Sequence, residues 1–190
     1  MLSHRFDDAL RFAADLHRDQ KRKGTDIPYF AHLLSVAALT IEYEGDEDCA
    51  IAALLHDAVD YQGGEPVADA IANRFGDRVR KIVLECSDRN GDKDTPWRQR
   101  KEDYIKSISN KSRDAVLVTS CDKLHDATSI LQDLITDGLT VFSRFNAPRN
   151  DILWYYREFA EAVQMRNPGP LSMRLSQTVS QMEYTVNTTD

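Results

Sequence analysis

A histidine and two acidic residues follow an apolar stretch in the N-terminal half of the chain. His56 and Asp57 come directly after the apolar residues 51–55, and Asp60 lies three residues beyond Asp57. Because residues four apart on a helix share a face, a continuous helix would project His56 and Asp60 together, with Asp57 beside them. Burying an imidazole and two carboxylates in one place costs free energy unless their charge is compensated. A divalent cation is a common compensation, so the pattern predicts a metal site.

The elements that must position these side chains all show helical periodicity. Ser3 is predicted to cap a first helix that runs to about Gln20. Pro28 is predicted to open a second helix, and Gly63 to end the helix that carries the His-Asp pair. Later patterns predict helices over residues 65–75, 77–86, 96–109, 113–136 and 151–164, one more helix after residue 170, and a polar loop over 88–95. No alternating run bounded by turns occurs, so the predicted fold class is all-α.

The chain has the size and composition of one soluble domain. It contains 190 residues, of which 42% are hydrophobic and 29% are charged. The stretch 168–170, Pro-Gly-Pro, is the one plausible linker, and it separates a short tail rather than a second domain. We therefore expect the functional domain over residues 1–166 and a C-terminal helical tail over residues 167–190.

Charge and cysteine content restrict the class of protein further. The net charge of −7 argues against a protein that binds DNA or RNA, because nucleic-acid-binding proteins normally present a basic surface. Three cysteines without CxxC spacing indicate reduced thiols and a cytoplasmic location. The charged N-terminus does not read as a signal peptide, and no apolar run approaches the ~18 residues of a membrane span. A cytoplasmic protein with no membrane partner is expected.

Two further residues stand out once a metal site is suspected. His32 lies in the second predicted helix among apolar neighbours, and Asp122 lies in the apolar segment AVLVTSCDKLHDA. A lone histidine on an apolar face is more often an ordinary core residue, whereas a buried aspartate needs a partner or a metal. Together with His56 and Asp57 they would form a mixed nitrogen and oxygen donor set, which suits Mn, Fe or Zn and leaves positions open for water and substrate.

The order of these residues resembles the HD-domain phosphohydrolases, and above all the hydrolase domain of RelA/SpoT-type proteins and the small alarmone hydrolases. Three blocks carry the resemblance: HRDQKRKGTDIPYFAH (His17–His32), AALLHDAVDYQGG (52–64) with the FGDRVRKIVLECSD that follows it, and CDKLHDATSIL (Cys121–Leu131). With the PWRQRKEDY segment they extend over about three quarters of the chain. The resemblance implies a single-domain helical bundle of about eight to ten helices.

The resemblance also implies a ligand set, a metal and a reaction. It makes His32, His56, Asp57 and Asp122 the metal ligands, with Mn²⁺ the usual ion. The implied activity is that of a guanosine-3′,5′-bis(diphosphate) 3′-pyrophosphohydrolase, which uses a metal-activated water to release pyrophosphate from the 3′ position of a phosphorylated nucleotide.

Residues that contact the nucleotide follow from the same resemblance. Arg22 and Lys23 occupy the positions of an Arg-Lys pair that approaches the base and phosphates, and a planar guanidinium suits that task. Asp126 stands near the nucleotide where the family usually has asparagine. Ser129 is about two turns after Asp122 on the same face and could donate to the ligand.

The chain departs from the family at the residues that handle the proton. The family has a Glu-Asp pair two residues after its His-Asp pair, whereas this chain has Asp60–Tyr61 at those positions. Asp60 keeps a carboxylate and is predicted to act as general base through one water. Two alternatives stay open at this point: cleavage of another nucleotide, such as a nucleoside monophosphate or a deoxynucleotide, and a weakened protein that binds metal and nucleotide as a sensor. The protein is expected to be a monomer or a homodimer.

Overall fold

The structure, a computed structural model, describes residues 2–88 and 95–189. Within these ranges the chain forms ten α-helices and no β-strand, which confirms the all-α prediction. The polar loop predicted over 88–95 lies mostly outside the described residues. The helices are α1 (His4–Leu16), α2 (Phe30–Glu42), α3 (Glu47–Leu55), α4 (Ala58–Gln62), α5 (Glu65–Phe75), α6 (Asp77–Cys86), α7 (Trp97–Ser107), α8 (Arg113–Asp137), α9 (Arg149–Arg166) and α10 (Pro170–Thr189). Short 3-10 helices follow α7 at Ile108–Asn110 and α8 at Gly138–Arg144.

The described residues fall into two compact units. The first contains residues 2–88 and 111–121, and the second contains residues 95–110 and 122–189. Helix α8 therefore contributes its first residues to one unit and its remainder to the other.

The core of the first unit is organised around α3. Every residue from Cys49 to Leu55 is buried, and α3 packs against α1, α2 and α6. This all-round burial explains why the segment is apolar on every side rather than on one face. The N-terminus of α3 is capped by Asp46, whose carboxylate accepts a hydrogen bond from the Cys49 backbone N–H at 3.0 Å.

The helix predicted to continue through the His-Asp pair is interrupted there. Helix α3 ends at Leu55, His56 and Asp57 form a turn, and α4 begins at Ala58. Neighbouring residues on a helix point in different directions and cannot face each other. In this turn His56 Nε2 and Asp57 Oδ2 lie 3.2 Å apart, and the predicted continuous helix is two helices, α3 and α4.

The core of the second unit is built from aromatic side chains of α7 and α9. The Tyr104 ring stacks on the Phe159 ring with centroids 6.2 Å apart, and Tyr155 and Phe159 are buried. Helix α10 packs on α9 and buries Leu175, among other residues. The C-terminal segment is thus a packed helix, and its predicted boundary at residue 166 falls in the break between α9 and α10.

Two further observations bear on the sequence predictions. The three cysteines are free thiols in buried positions. Among the described helices, none is both long enough and apolar enough to cross a membrane.

An exposed ion-pair network at the start of α3 gives a pH-dependent contribution to stability. The Arg78 guanidinium donates to Asp46 at 2.6 Å and to Asp114 at 2.8 Å. Burial raises the pKa of Asp46, but the Cys49 N–H and Arg78 outweigh it and leave the pKa below its ordinary value. The ionised carboxylate therefore stabilises the folded state above the ordinary pKa of 3.8, and this contribution is lost as the pH falls through the lower folded-state pKa.

Asp46→Asn is expected to lower the free energy of unfolding at neutral pH by about 0.5 kcal/mol, the usual size of an exposed ion pair. It is also expected to make stability less sensitive to pH as the solution is acidified from neutral to about pH 3. Asparagine caps a helix as well as aspartate does, so the change isolates the charge. Urea unfolding across this pH range measures both effects. Asp8→Asn, which breaks an exposed pair with Arg11, is the control. An Asp46→Asn curve parallel to wild type would contradict the expectation.

Candidate metal centre

His32 is presented by α2 toward the interior of the first unit. The helix begins at Phe30, one residue after Tyr29, and His32 is only 1% exposed among buried Leu33 and Val36. The His32 ring meets the His56 ring edge to face, with centroids 5.4 Å apart. His32 therefore contacts a second imidazole in the core and is not surrounded by apolar side chains alone.

The orientation of His56 is set by the end of α3. Its Nδ1 lies 2.8 Å from the Ala53 carbonyl oxygen, and since a carbonyl only accepts, Nδ1 carries the proton. In the neutral ring Nε2 then carries the lone pair, and it faces Asp57 Oδ2 at 3.2 Å. Two acceptor atoms at this distance are stabilised by a shared cation, either a proton or a metal ion. A histidine bonded through its other nitrogen to a carbonyl is also the usual arrangement in metal sites.

Donor atoms of His32, His56 and Asp57 all lie within 4.8 Å of one another. We call these three residues the His-His-Asp cluster. Metal–ligand bonds of about 2.1 Å keep donor atoms within about 4.2 Å of each other, so small side-chain rotations would close the site around an ion. His32 and His56 are buried and Asp57 is partly buried. The donor set, its spacing and its burial therefore fit a divalent metal.

The carboxylate of Asp60, on α4, is buried and held by hydrogen bonds of its own. Asp60 is 7% exposed, and it accepts hydrogen bonds from the Ser87 hydroxyl and, at 3.1 Å, from the Asp88 backbone N–H. Among the described residues, the candidate ligand group that contains Asp57 does not include Asp60. Because a turn separates α3 from α4, His56 and Asp60 do not lie on one continuous helix.

The second carboxylate of the family is replaced by an exposed aromatic ring. Tyr61 is 54% exposed, and its ring centroid lies 5.9 Å from that of Tyr29. A cavity beside α4 is lined by Asp60, Tyr61 and Ser87, among other residues. The position where the sequence resemblance implies a second carboxylate thus carries a neutral, exposed ring.

Asp122, the fourth predicted ligand, belongs to the second unit. It is 5% exposed, and its Oδ2 lies 2.7 Å from the ammonium of Lys123. Burial alone would lower the pKa of Lys123, but Asp122, then Tyr155 and Asp126, raise it well above its ordinary value. Lys123 is therefore charged and neutralises part of the acidic charge around it. The role of Asp122 as a metal ligand stays a prediction.

The predicted nucleotide contacts lie on two different elements. Arg22 and Lys23 lie in the loop between α1 and α2, which is closed by an isolated β-bridge between Lys21 and Pro28. Asp126 and Ser129 lie on α8 in the second unit and are partly buried. The Ser129 hydroxyl donates to the His125 carbonyl at 3.0 Å, so its proton is used within its own helix.

The structure adds residues that the sequence reasoning did not select. The Tyr29 hydroxyl donates to Asp57 Oδ2, and Ser87 holds Asp60 as described above. His17 is 1% exposed at the end of α1. Burial lowers the pKa of His17 below its ordinary 6.5, so the imidazole is neutral at pH 7. The sequence feature that could have pointed to Tyr29 is its position about one helical turn before His32.

This arrangement defines an HD domain. The family model of the HD domain matches residues 9–153, and the chain belongs to the HD-domain family. HD hydrolases use divalent metals, and the His-His-Asp cluster is a group that could hold one.

Two animal proteins are similar in sequence to this chain. Guanosine-3′,5′-bis(diphosphate) 3′-pyrophosphohydrolase MESH1 of Xenopus tropicalis is 37% identical over 122 residues, which make up 63% of this chain and 65% of the frog protein. MESH1 of Drosophila melanogaster, which carries the same enzyme name, is 32% identical over 126 residues, or 64% of this chain and 67% of the fly protein. The matched part of the chain thus spans about two thirds of the length of these relatives.

A solved structure has a similar fold over a larger share of the chain. It is that of a metazoan orthologue of SpoT that hydrolyzes ppGpp and plays a role in starvation responses. The TM-score is 0.76 at 28% sequence identity, and the match covers 95% of this chain and 97% of that one. The fold is therefore shared along almost the whole described chain.

Proposed function

We propose that the protein is a metal-dependent phosphohydrolase that removes pyrophosphate from the 3′ position of guanosine 3′,5′-bis(diphosphate) or a similar nucleotide. The observation that carries the proposal is the His-His-Asp cluster, with its donor atoms within 4.8 Å of one another. It is supported by two relatives that are named as 3′-pyrophosphohydrolases of this nucleotide. The solved structure of similar fold belongs to a protein that hydrolyzes ppGpp.

The His-His-Asp cluster would hold the metal through one nitrogen of each imidazole and one oxygen of Asp57. We propose Mn²⁺ as the ion, with Asp122 as a fourth ligand on the strength of the family resemblance. A divalent cation supplies Lewis acidity, which stabilises negative charge on a phosphoryl oxygen and makes water a stronger acid. The burial of His32 and His56 keeps bulk water from weakening these interactions.

Asp60 is the proposed proton acceptor. Ser87 and the Asp88 N–H orient its carboxylate, and each carboxylate oxygen has a second lone pair that can accept a hydrogen bond from water. A proton taken from the attacking water would go to this carboxylate, either directly or through one further water. The exposed Tyr61 offers no second carboxylate, so Asp60 carries this task alone in the proposal.

Arg22 and Lys23 are proposed to bind the nucleotide. Their loop is fixed by the backbone of Arg22, whose N–H donates to the Ile27 carbonyl at 2.9 Å and whose carbonyl accepts from the Thr25 N–H at 3.0 Å. A loop held by its own backbone can present a guanidinium and an ammonium to an anion with little loss of entropy. Asp126 and Ser129 are proposed as further contacts to the nucleotide.

Arg22→Ala is expected to raise KM by about 10-fold or more and to change kcat by less, because an interaction made equally in ground and transition states affects binding alone. Steady-state kinetics with guanosine 3′,5′-bis(diphosphate) measures both constants. The matched control is Arg18→Ala, which removes an exposed arginine paired with Asp15 near the same loop. An unchanged KM in Arg22→Ala would show that this loop is an ordinary charged surface.

A substrate panel tests the proposal against its alternatives. The purified protein is incubated with Mn²⁺ and with guanosine 3′,5′-bis(diphosphate), nucleoside 5′-monophosphates or deoxynucleotides, and the products are separated by ion exchange. We expect pyrophosphate and a guanosine 5′-diphosphate product from the first substrate. Turnover of a monophosphate alone would assign the other nucleotidase activity. Binding of metal and nucleotide without turnover would assign a sensor, the alternative suggested by the tyrosine at position 61.

The cytoplasmic location, the absence of a DNA or RNA partner and the monomeric or homodimeric state stay predictions. Parallel titrations with Mn²⁺, Mg²⁺, Fe²⁺ and Zn²⁺ would test the proposed preference for manganese.

A further inference from the structure

Tyr29 joins the His-His-Asp cluster to the loop that follows α1. Its hydroxyl donates a hydrogen bond to Asp57 Oδ2, and its ring centroid lies 5.3 Å from that of His32. Its backbone N–H donates to the Gln20 carbonyl at 2.8 Å. Tyr29 therefore contacts two members of the cluster and is fixed through its backbone at the point where the chain enters α2.

The ring of Tyr29 is supported by a small polar group at the end of α1. The His17 ring stacks on it, with centroids 5.6 Å apart and 24° between the planes. His17 Nδ1 lies 2.7 Å from Gln20 Oε1, and because an amide oxygen only accepts, the imidazole donates. The same oxygen accepts from Gln62 Nε2 at 2.6 Å. We call these three residues the His17–Gln20–Gln62 group.

This group links the two sides of the metal cluster. Gln20 lies just after α1, whereas Gln62 is the last residue of α4, the helix that begins directly after Asp57. The hydrogen bond between the two amides therefore connects the segment that holds Tyr29 with the helix that follows the His-Asp turn. Among the described residues no hydrogen bond reaches His17 Nε2, so His17 is fixed by its Nδ1 contact and by stacking.

We propose that Tyr29 is a positioning residue for the metal ion and that the His17–Gln20–Gln62 group holds Tyr29 in place. This inference rests on the proposed metal site. Asp57 lies in a turn rather than inside a helix, so its carboxylate needs a restraint from another element. The Tyr29 hydroxyl occupies one lone pair of Oδ2 and leaves the other carboxylate lone pairs for the cation. Partners of this kind typically change metal affinity by about 10- to 100-fold.

The test compares Mn²⁺ affinity by isothermal titration calorimetry on the full chain, freed of metal, in wild type, Tyr29→Phe and Tyr184→Phe. Phenylalanine keeps the ring and removes the hydroxyl. Tyr184, which is 69% exposed in α10, is the matched control. We expect Tyr29→Phe to bind Mn²⁺ about 10- to 100-fold more weakly and Tyr184→Phe to bind it as wild type does. Urea unfolding with and without Mn²⁺ should show a smaller metal-induced shift in midpoint for Tyr29→Phe. A merely structural role would lower both midpoints together and leave the affinity unchanged.

A double-mutant cycle tests the supporting group. Gln20→Leu removes the acceptor shared by His17 and Gln62, and it should weaken Mn²⁺ binding in the wild-type background. It should add little in the Tyr29→Phe background, because the group acts through the Tyr29 hydroxyl. Additive effects would overturn the link between the group and Tyr29. Wild-type affinity in Tyr29→Phe would overturn the positioning role while leaving the metal site intact. A wild-type protein that binds no divalent metal would overturn both this inference and the proposed metal site.

Discussion

His56→Ala is expected to lose metal binding and to lower pyrophosphohydrolase activity by about 10³-fold or more while the chain stays helical. His56 gives the cluster one of its two imidazoles, and its Nε2 lies 3.2 Å from the Asp57 carboxylate. A bound metal contributes several kcal/mol of transition-state stabilisation, and each ~1.4 kcal/mol corresponds to a factor of ten in rate. Elemental analysis after dialysis measures metal occupancy, and far-UV circular dichroism measures helical content.

Two further variants make this result specific. His56→Gln keeps much of the side-chain volume and can still donate to the Ala53 carbonyl, so it separates loss of the ligand from loss of packing. His4→Ala removes an exposed histidine of α1 and should keep full metal content. Full metal occupancy in His56→Ala would remove His56 from the ligand set. The same measurement on Asp122→Ala tests the fourth predicted ligand, whose loss should also abolish metal binding.

Asp60→Glu combined with Tyr61→Asp is expected to raise kcat by between about 10- and 100-fold. The pair restores the residues that the family has after its His-Asp motif, and positioned acid–base groups contribute about 10²- to 10⁴-fold to rates. Tyr61 is 54% exposed, so a smaller polar residue is tolerated there. Asp60 is 7% exposed and accepts a hydrogen bond from the Ser87 hydroxyl, so the longer glutamate must fit a more restricted position. The measurement is kcat at saturating nucleotide and Mn²⁺.

The single changes separate charge from shape. Tyr61→Asn has the size of Tyr61→Asp without its charge, so a gain confined to Tyr61→Asp would assign the effect to the carboxylate. Asp60→Glu alone tests whether a longer side chain still reaches Ser87 in a buried position. No gain in any of the carboxylate variants would contradict the view that the native chain is weakened by its missing carboxylate.

The helices were predictable where the sequence marks their ends. Glycine at position 76 separates α5 from α6, and both helices have the predicted bounds. The break between α3 and α4 was not predictable from local sequence, because an apolar run followed by Ala58 and Val59 favours a continuous helix. Contacts distant in sequence accompany the turn. Asp60, on α4, accepts from Ser87 and Asp88, which follow α6.

The metal cluster was more predictable than the residues that support it. The cost of burying charge in an apolar context pointed to His56, Asp57 and Asp60, and also to Asp122. His32 entered the ligand set through the family resemblance. A tyrosine or a glutamine carries no charge, so placing it at the surface or in a partly buried position costs little free energy and gives no signal in the sequence. The relevance of Tyr29 and Gln20 therefore emerged only from contacts across the first unit. The role of Asp122 as a metal ligand stays a prediction, which the Asp122→Ala measurement tests.

The most direct test of the account is pyrophosphate release from guanosine 3′,5′-bis(diphosphate) by the purified chain, measured with Mn²⁺ and again after addition of a chelator. Wild type should release pyrophosphate only when metal is present, and His56→Ala should release almost none under either condition. Such a result would establish a metal-dependent 3′-pyrophosphohydrolase and would show that Asp60 works without a second carboxylate. Release that persists in the chelator, or its absence from a wild-type protein shown to contain bound Mn²⁺, would contradict the proposed function.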